Sequence, residues 1–108
     1  MIDLLRAKKD DIAALCVRFG VGRLDVFGSA ADGTWIPGTS DIDFLVTFDD
    51  RSAGYARRWL TLEQELKRVL SAPVDLVIDD AIRNPYFRRS VDRQRVSLYE
   101  RANRNAAA

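Results

Sequence analysis

Two aspartates at strand spacing follow a glycine-serine turn, and together they could handle a metal ion and a phosphate. Asp41 and Asp43 lie two residues apart at the start of an apolar stretch. Side chains alternate between the two faces of a β-strand, so both carboxylates would point to the same face. Neighbouring carboxylates repel each other and raise each other's pKa. A divalent cation relieves that repulsion, and Mg²⁺ is the usual ion where phosphate is bound as well.

The phosphate-binding part of this prediction rests on the dipeptide Gly28-Ser29 upstream of the aspartates. Such a turn offers backbone N–H groups and a hydroxyl to phosphate oxygens. Ser40 directly precedes Asp41 and is a further candidate, although it could equally cap the turn before the strand. The sequence therefore indicates a metal–nucleotide site.

The stretch from Gly28-Ser29 through Gly33 to Ser40-Asp41-Ile42-Asp43 resembles the signature of the DNA polymerase β nucleotidyltransferase superfamily. More narrowly, the short chain resembles the minimal nucleotidyltransferase (MNT) domains that pair with HEPN-domain proteins in prokaryotic toxin–antitoxin modules. An Asp-x-Asp pair alone is a weak signal, whereas an upstream Gly-Ser between two strands makes it specific. The resemblance implies an α/β (α+β) polymerase-β-like fold, a mixed sheet of three to four strands with helices packed mainly on one face.

The resemblance also implies residue roles. Asp75, on a later strand, matches the third acidic residue of the family in type and place. Asp41, Asp43 and Asp75 would hold Mg²⁺, two ions in a two-metal site, and Asp75 could also act as the base for the attacking hydroxyl. Gly28 would let the backbone approach the phosphates, and Ser29 would hydrogen-bond a terminal phosphate oxygen. The reaction would be attack on the α-phosphorus of ATP with release of pyrophosphate.

Each of these acids also has a structural interpretation. Without the upstream motif, Asp75 would be taken for a surface residue of an edge strand, and Asp41 with Asp43 for a paired surface stripe. Asp79 and Asp80 fit a turn better than a ligand set, and Asp32 fits a solvated loop.

One position departs from the family pattern. Many members carry a basic residue after Gly-Ser, where this chain has Ala30-Ala31-Asp32. If that residue neutralises triphosphate charge, the charge must come from elsewhere. Arg83, Arg88 and Arg89 are candidates for triphosphate or partner contacts, and a solvated helix face is the alternative interpretation.

Composition narrows the class of protein. The chain of 108 residues has a net charge of +1, yet the part from Arg83 onward holds seven arginines and two acidic residues, which gives +5 there and −4 in the rest. The absence of histidine excludes histidine metal sites and Ser-His or Cys-His catalysis. The single cysteine, Cys16, excludes an internal disulfide, fits a reducing cytoplasm and is predicted to be a core residue.

Hydrophobic periodicity and turn residues predict three or four strands and three helices around these residues. In chain order they are a helix from Asp3 to about Arg18, strands at 23–27 and 41–48, a helix at about 54–71, a strand at 74–79, a helix from Asn84-Pro85 to about Gln94, and a final strand or docking segment at 96–99.

The second strand orients the site. Ile42, Phe44, Val46 and Phe48 should pack on helices, while the opposite face, with Asp41, Asp43 and Leu45, should open toward the loop. The aromatic residues Tyr55 and Trp59 are predicted to belong to the core rather than to a base-stacking platform.

We expect one domain over residues 1–100 and a flexible tail over 101–108. The resemblance implies an Mg²⁺-dependent nucleotidyltransferase antitoxin of a type VII-like HEPN/MNT module, which transfers AMP from ATP to a tyrosine of the HEPN toxin and neutralises it. A non-catalytic antitoxin that only binds the toxin is the main alternative, and nucleotidyl transfer to a small molecule or an RNA end is a third.

Location and other partners follow from composition. No signal peptide and no apolar run of membrane-spanning length are evident, so a cytoplasmic protein without a membrane partner is expected. Direct nucleic-acid binding is not expected, although the basic end leaves an RNA contact open.

Overall fold

The computed structural model describes residues 1–49 and 54–101. The helices are α1 (Asp3–Ala7), α2 (Lys9–Arg18), α3 (Ser29–Asp32), α4 (Tyr55–Leu70) and α5 (Pro85–Gln94), and the strands are β1 (Val21–Phe27), β2 (Ile42–Phe48), β3 (Val74–Ile78) and β4 (Val96–Glu100). A short 3₁₀ turn, Asp79–Ala81, follows β3.

The four strands form one mixed sheet in the order β3-β2-β1-β4. β1 pairs antiparallel with both β2 and β4, whereas β2 and β3 are parallel. Parallel neighbours need a long crossover connection, and α4 lies in it. The crossover brings residues far apart in sequence into register, and it sets Asp43 beside Asp75.

One face of the sheet carries the main core. The apolar residues of β2 predicted to face helices, Ile42, Phe44, Val46 and Phe48, are all buried there. Residues of α1, α2 and α4 cover them, and Tyr55 and Trp59 pack against the same cluster, as predicted. Cys16 is buried in it too, and burial raises the pKa of its thiol to about 12.

The opposite face is covered in part by α5. Val91 of this helix packs with Phe27 and Leu45 in a second, smaller cluster. The predicted mixed sheet with helices mainly on one face is therefore confirmed, and α5 is the helix on the other side. Its start is also as predicted, because the Asn84 side chain accepts hydrogen bonds from the N–H groups of Tyr86 and Phe87.

Three details differ from the sequence predictions. The first helix is broken at Lys8 into α1 and α2, and Asp3 is its first residue rather than its cap. β1 begins at Val21, two residues earlier than expected, because a β-bulge between Val21 and Arg23 lets the strand continue past Gly22. The segment at 96–99, left open as strand or docking segment, is the edge strand β4.

Residues 50–53, which lie between the predicted strand at 41–48 and the predicted helix at about 54–71, and most of the predicted tail, 102–108, lie outside the described residues. Within the described ranges, no helix is both long and apolar enough to cross a membrane.

Candidate active site

Three carboxylates lie together where β2 begins and β3 passes beside it. Asp43 of β2 and Asp75 of β3 are direct partners in the parallel register, so their side chains share one face of the sheet. Asp41 lies immediately before β2, two residues from Asp43, and it is exposed. We call Asp41, Asp43 and Asp75 the carboxylate row.

The row is electrostatically unfavourable in the protein alone. Burial, followed by the charges of Asp75 and Asp41, raises the pKa of Asp43 to about 6. In the described part of the chain, no arginine or lysine forms an ion pair with any member of the row. The repulsion predicted from the spacing of the two aspartates is therefore present at Asp43.

Gly28 ends β1 directly against this row. Its neighbour Phe27 pairs with Asp43 across the sheet. A Cβ on Gly28 would lie 2.6 Å from Asp43 Oδ2, and the φ of +69° lies in the region that favours glycine. Glycine is thus required here to give the Asp43 carboxylate room, which is a more local reason than the phosphate approach inferred from sequence.

The backbone of Gly28 is also tied to α5. Its N–H donates to Gln94 Oε1 at 3.2 Å, so that amide is occupied by a side chain at the end of the helix. Gln94 carries no motif, and this contact across 66 residues could not be recognised from the sequence.

The two candidate serines are placed differently. Ser29 opens α3 beside Gly28, and no described residue hydrogen-bonds its hydroxyl. Ser40 Oγ accepts a hydrogen bond from the Ile36 N–H at 3.1 Å, and the Ser40 carbonyl accepts one from Trp35 Nε1 at 3.0 Å. Ser40 therefore holds the loop before β2, while Ser29 has its hydroxyl available for a ligand.

The departure after Gly-Ser has a packing explanation. Ala30 and Ala31 are 0% and 8% exposed and belong to the main core, so a basic side chain would not fit at either position. Asp32 is solvent-exposed as predicted, but it is the last residue of α3 rather than a loop residue, and it accepts hydrogen bonds from the N–H and hydroxyl of Thr34.

The row fits Mg²⁺ by its chemistry. Its donors are carboxylate oxygens, which hard divalent cations prefer, and a cation would offset the repulsion that raises the Asp43 pKa. Within the described residues, no three acidic or thiol side chains already surround a common point at metal-ligand distance. Mg²⁺ in phosphate sites is commonly held by one or two carboxylates plus substrate phosphates, so a complete protein cage is not required.

A second group of charges lies on the same sheet face below the row. Asp25 of β1 is fully buried, and Arg95 Nε reaches its Oδ2 at 2.5 Å while Arg23 Nε reaches its Oδ1 at 3.0 Å. Arg95 also bonds Asp79 at 2.7 Å. Arg88 and Asp92 complete the group that we call the ion-pair cluster: Arg23, Asp25, Asp79, Arg88, Asp92 and Arg95.

Of the three candidate arginines, one belongs to the cluster and two lie outside it. Arg88 pairs with Asp79 at 2.7 Å and with Asp92 at 3.0 Å, so its charge is already used within the protein. Arg83 and Arg89 are exposed, and Arg83 donates to the carbonyl of Asp80 at 2.8 Å. Asp79, predicted as a turn residue, begins the 3₁₀ turn and binds both Arg88 and Arg95.

Sequence comparison identifies the family and a relative of this chain. The profile of the nucleotidyltransferase domain family matches residues 12–98, which include the whole carboxylate row. A protein of Methanocaldococcus jannaschii, named as a candidate protein adenylyltransferase, is 37% identical over 90 residues, 83% of this chain and 86% of the relative.

Two solved structures show the same fold. A candidate minimal nucleotidyltransferase superposes with a TM-score of 0.72 at 32% identity, covering 87% of this chain and 92% of the other. An MNT antitoxin in complex with a tri-AMPylated HEPN toxin of Shewanella oneidensis gives a TM-score of 0.63 at 20% identity, covering 95% and 76%. At that identity the second likeness concerns the fold alone.

Proposed function

Since the chain belongs to the nucleotidyltransferase domain family, we propose that it is an Mg²⁺-dependent adenylyltransferase that moves AMP from ATP to a tyrosine of a HEPN toxin and so neutralises that toxin. The observation that carries the proposal is the carboxylate row, in which Asp43 and Asp75 stand side by side against the Gly28 turn. The names of similar proteins, a protein adenylyltransferase and an MNT antitoxin, support the choice of nucleotide and partner.

In this proposal Asp41, Asp43 and Asp75 would hold the Mg²⁺ ions that accompany the triphosphate. When bound, the metal supplies charge neutralisation and a lowered pKa for the acceptor hydroxyl. Ser29 donates its hydroxyl hydrogen to a terminal phosphate oxygen, and Gly28 leaves room for the Asp43 carboxylate beside the phosphates. Ser40 contributes by holding the loop that leads into Asp41.

The transfer balances without another reactant. The tyrosine oxygen forms a bond to the α-phosphorus of ATP, the bond from that phosphorus to the bridging oxygen of the β-phosphate breaks, and pyrophosphate leaves. Asp75 accepts the proton of the attacking hydroxyl, for which its exposed carboxylate is accessible. The acceptor tyrosine belongs to the partner protein, which supplies the surface around it.

The direct test uses ATP labelled at the α-phosphate, Mg²⁺ and a HEPN-domain toxin as the acceptor, sought first among the products of the adjacent genes. We expect label on the partner, located on tyrosine by mass spectrometry, and its loss with Asp41→Asn or Asp43→Asn. Label transfer that persists in both variants would contradict the assignment of the site.

A non-catalytic antitoxin is the second candidate, and one observation favours it. The alanines after Gly28-Ser29 are core residues, so the site lacks the nearby cation that many relatives offer to the triphosphate. Toxin protection by Asp41→Asn in growing cells separates the two: full protection with an intact complex supports binding alone, and lost protection supports catalysis.

A further inference from the structure

A recess of about 360 Å³ opens along the edge strand β3, between α4 and the start of α5. Its walls include the apolar side chains of Trp59, Val77, Ile82 and Phe87. Val77 follows Asp75 by two residues on β3, so the two side chains lie on the same face of the sheet and their Cα atoms are about 7 Å apart. Its volume is at the lower end of the range of about 300–1,000 Å³ typical of binding pockets.

The walls of the recess are fixed by contacts within the protein. Trp59 Nε1 donates to the Leu76 carbonyl at 2.9 Å, which holds the indole against the edge strand. The Phe87 ring meets Phe27 edge-on, with centroids 6.1 Å apart. The Asn84 cap fixes the backbone of the same helical turn. The recess is therefore preformed, which lowers the entropic cost of filling it.

Its rim has the composition of a protein-binding surface. Tyr86 is 76% exposed and Phe87 41%, two adjacent large aromatic residues in the first turn of α5. The Arg89 guanidinium lies 5.9 Å from the centre of the Tyr86 ring, and Arg83 lines the recess itself. Aromatic residues and arginine are enriched at the energetic centres of protein interfaces.

We propose that the recess and its rim are the docking surface for the acceptor protein, which fills it with a large apolar side chain flanked by acidic residues. The identity of that protein rests on the proposed function. Arg83 and Arg89 give the rim a positive charge that complements the acidic flanks. The recess lies along β3, the strand that carries Asp75. A partner anchored here would present a neighbouring tyrosine to Asp75.

The experiment measures complex formation apart from catalysis. In an Asp43→Asn background, the affinity for the HEPN-domain toxin used in the transfer assay is determined for Tyr86→Ser with Phe87→Ser, and separately for Arg89→Glu. We expect about 30-fold weaker binding for the aromatic pair and about 10-fold for the charge reversal. The matched controls Val17→Ser and Lys9→Glu change an exposed apolar residue and an exposed cation on α2, and should stay within about 2-fold of the parent.

The outcomes separate the proposals. Parent-like affinity in both recess variants overturns the docking surface, even if AMP transfer occurs. Loss of Mg·ATP binding in the aromatic variant of the otherwise native protein assigns the recess to the nucleotide and overturns it too. Binding that weakens as expected while the native protein transfers no AMP supports the docking surface and contradicts only the catalytic proposal. Arg89→Glu leaves the Phe27–Phe87 contact in place, so a folding defect of the aromatic variant does not decide the matter.

Discussion

The carboxylate row and the ion-pair cluster lie on one face of the sheet, only four residues apart along the chain at Asp75 and Asp79, yet their acids behave in opposite ways. In the row, burial and the neighbouring carboxylates raise the pKa of Asp43 to about 6. In the cluster, burial acts on Asp79 in the same direction, but hydrogen bonds from Arg95 and Arg88 outweigh it and lower the pKa.

The placement of arginines, rather than the depth of the acids, separates the paired acids of the cluster from the unpaired acids of the row. Arg88 and Arg95 come from the basic C-terminal part of the chain and neutralise acids of the sheet. None of the described cations does the same for the row. Acids whose mutual repulsion is not offset by a cation of the protein are candidates for a metal or substrate site. Four comparisons of variants test this distinction.

The largest effect should separate Asp75→Asn from Asp79→Asn, two substitutions on the same segment and face. Asp75→Asn should lower AMP transfer by about 10³-fold, because in the proposed function Asp75 is a shared metal ligand and the proton acceptor, with little change in stability at this exposed site. Asp79→Asn should keep transfer near the native rate but lower the free energy of unfolding by about 1–3 kcal/mol, because Arg88 and Arg95 lose a shared partner. Transfer assays and urea unfolding measure the two effects.

If Asp75→Asn proved unstable and Asp79→Asn inactive, the distinction between the carboxylate row and the ion-pair cluster would be contradicted. Asp32→Asn serves as control, because its carboxylate is exposed at the end of α3 and hydrogen-bonds only Thr34 among the described residues. It should leave both quantities unchanged.

The cluster itself is tested by Asp25→Asn. Asp25 is fully buried between Arg95 and Arg23, and its replacement by a neutral amide leaves the Arg95 charge without its buried partner. We expect the free energy of unfolding to fall by about 3 kcal/mol. Asp10→Asn on the exposed surface of α2 is the control for loss of one negative charge. If the free energy of unfolding falls as little as it does in the control, the cluster does not contribute to stability.

The carboxylate row was accessible to sequence reasoning, whereas the cluster was not. Alternation of Asp41, Ile42 and Asp43 fixes the face of two acids without tertiary information. Asp75 could be placed beside them only through the family pattern, since the register of a parallel pair depends on the α4 crossover. The Asp25–Arg95 pair joins residues 70 positions apart, and strand alternation predicts only on which face Asp25 lies, not which cation reaches it.

Helix breaks and close approaches were hidden for similar reasons. The apolar stripe of the first helix is continuous through Lys8, so periodicity gave no sign of the break into α1 and α2. Gly28 was recognised as important, but the reason, an Asp43 oxygen 2.6 Å from where its Cβ would be, requires coordinates. Local sequence patterns predict the helices and strands, whereas contacts between residues far apart in sequence determine what their side chains bind.

A smaller effect concerns pH in the absence of divalent cations. The folded pKa of Asp43, about 6, is above the ordinary value of 3.8, so the folded state holds this proton more tightly. The contribution of Asp43 to the free energy of unfolding therefore falls as pH rises from about 4 to 6, and its full destabilising effect applies above pH 6. At pH 7 with EDTA, Asp43→Asn should raise the free energy of unfolding by about 1–2 kcal/mol, less than the full shift because the site is partly open to water.

Urea unfolding of both proteins at pH 4.5 and pH 7 measures this gain, which should shrink at the lower pH. Asp79 contributes in the opposite sense: its lowered pKa gives stability that is present above about pH 4 and lost under more acidic conditions. Equal stability of the native protein and Asp43→Asn at pH 7 would mean that the row carries no electrostatic cost.

The smallest effect is expected at Asp92, the exposed acid of the cluster. It bonds Arg88 and Arg95, each at 3.0 Å, and hydrogen bonds from both arginines lower its pKa, with the Arg95 bond the larger cause. Its carboxylate is nevertheless in water, where an ion pair gains little over hydration. Asp92→Asn should therefore leave the melting temperature within experimental error while Asp25→Asn lowers it clearly. If both substitutions lower the melting temperature equally, the burial of Asp25 does not explain the contribution of the cluster to stability. The difference between the row and the cluster would then depend only on which acids are paired with arginines.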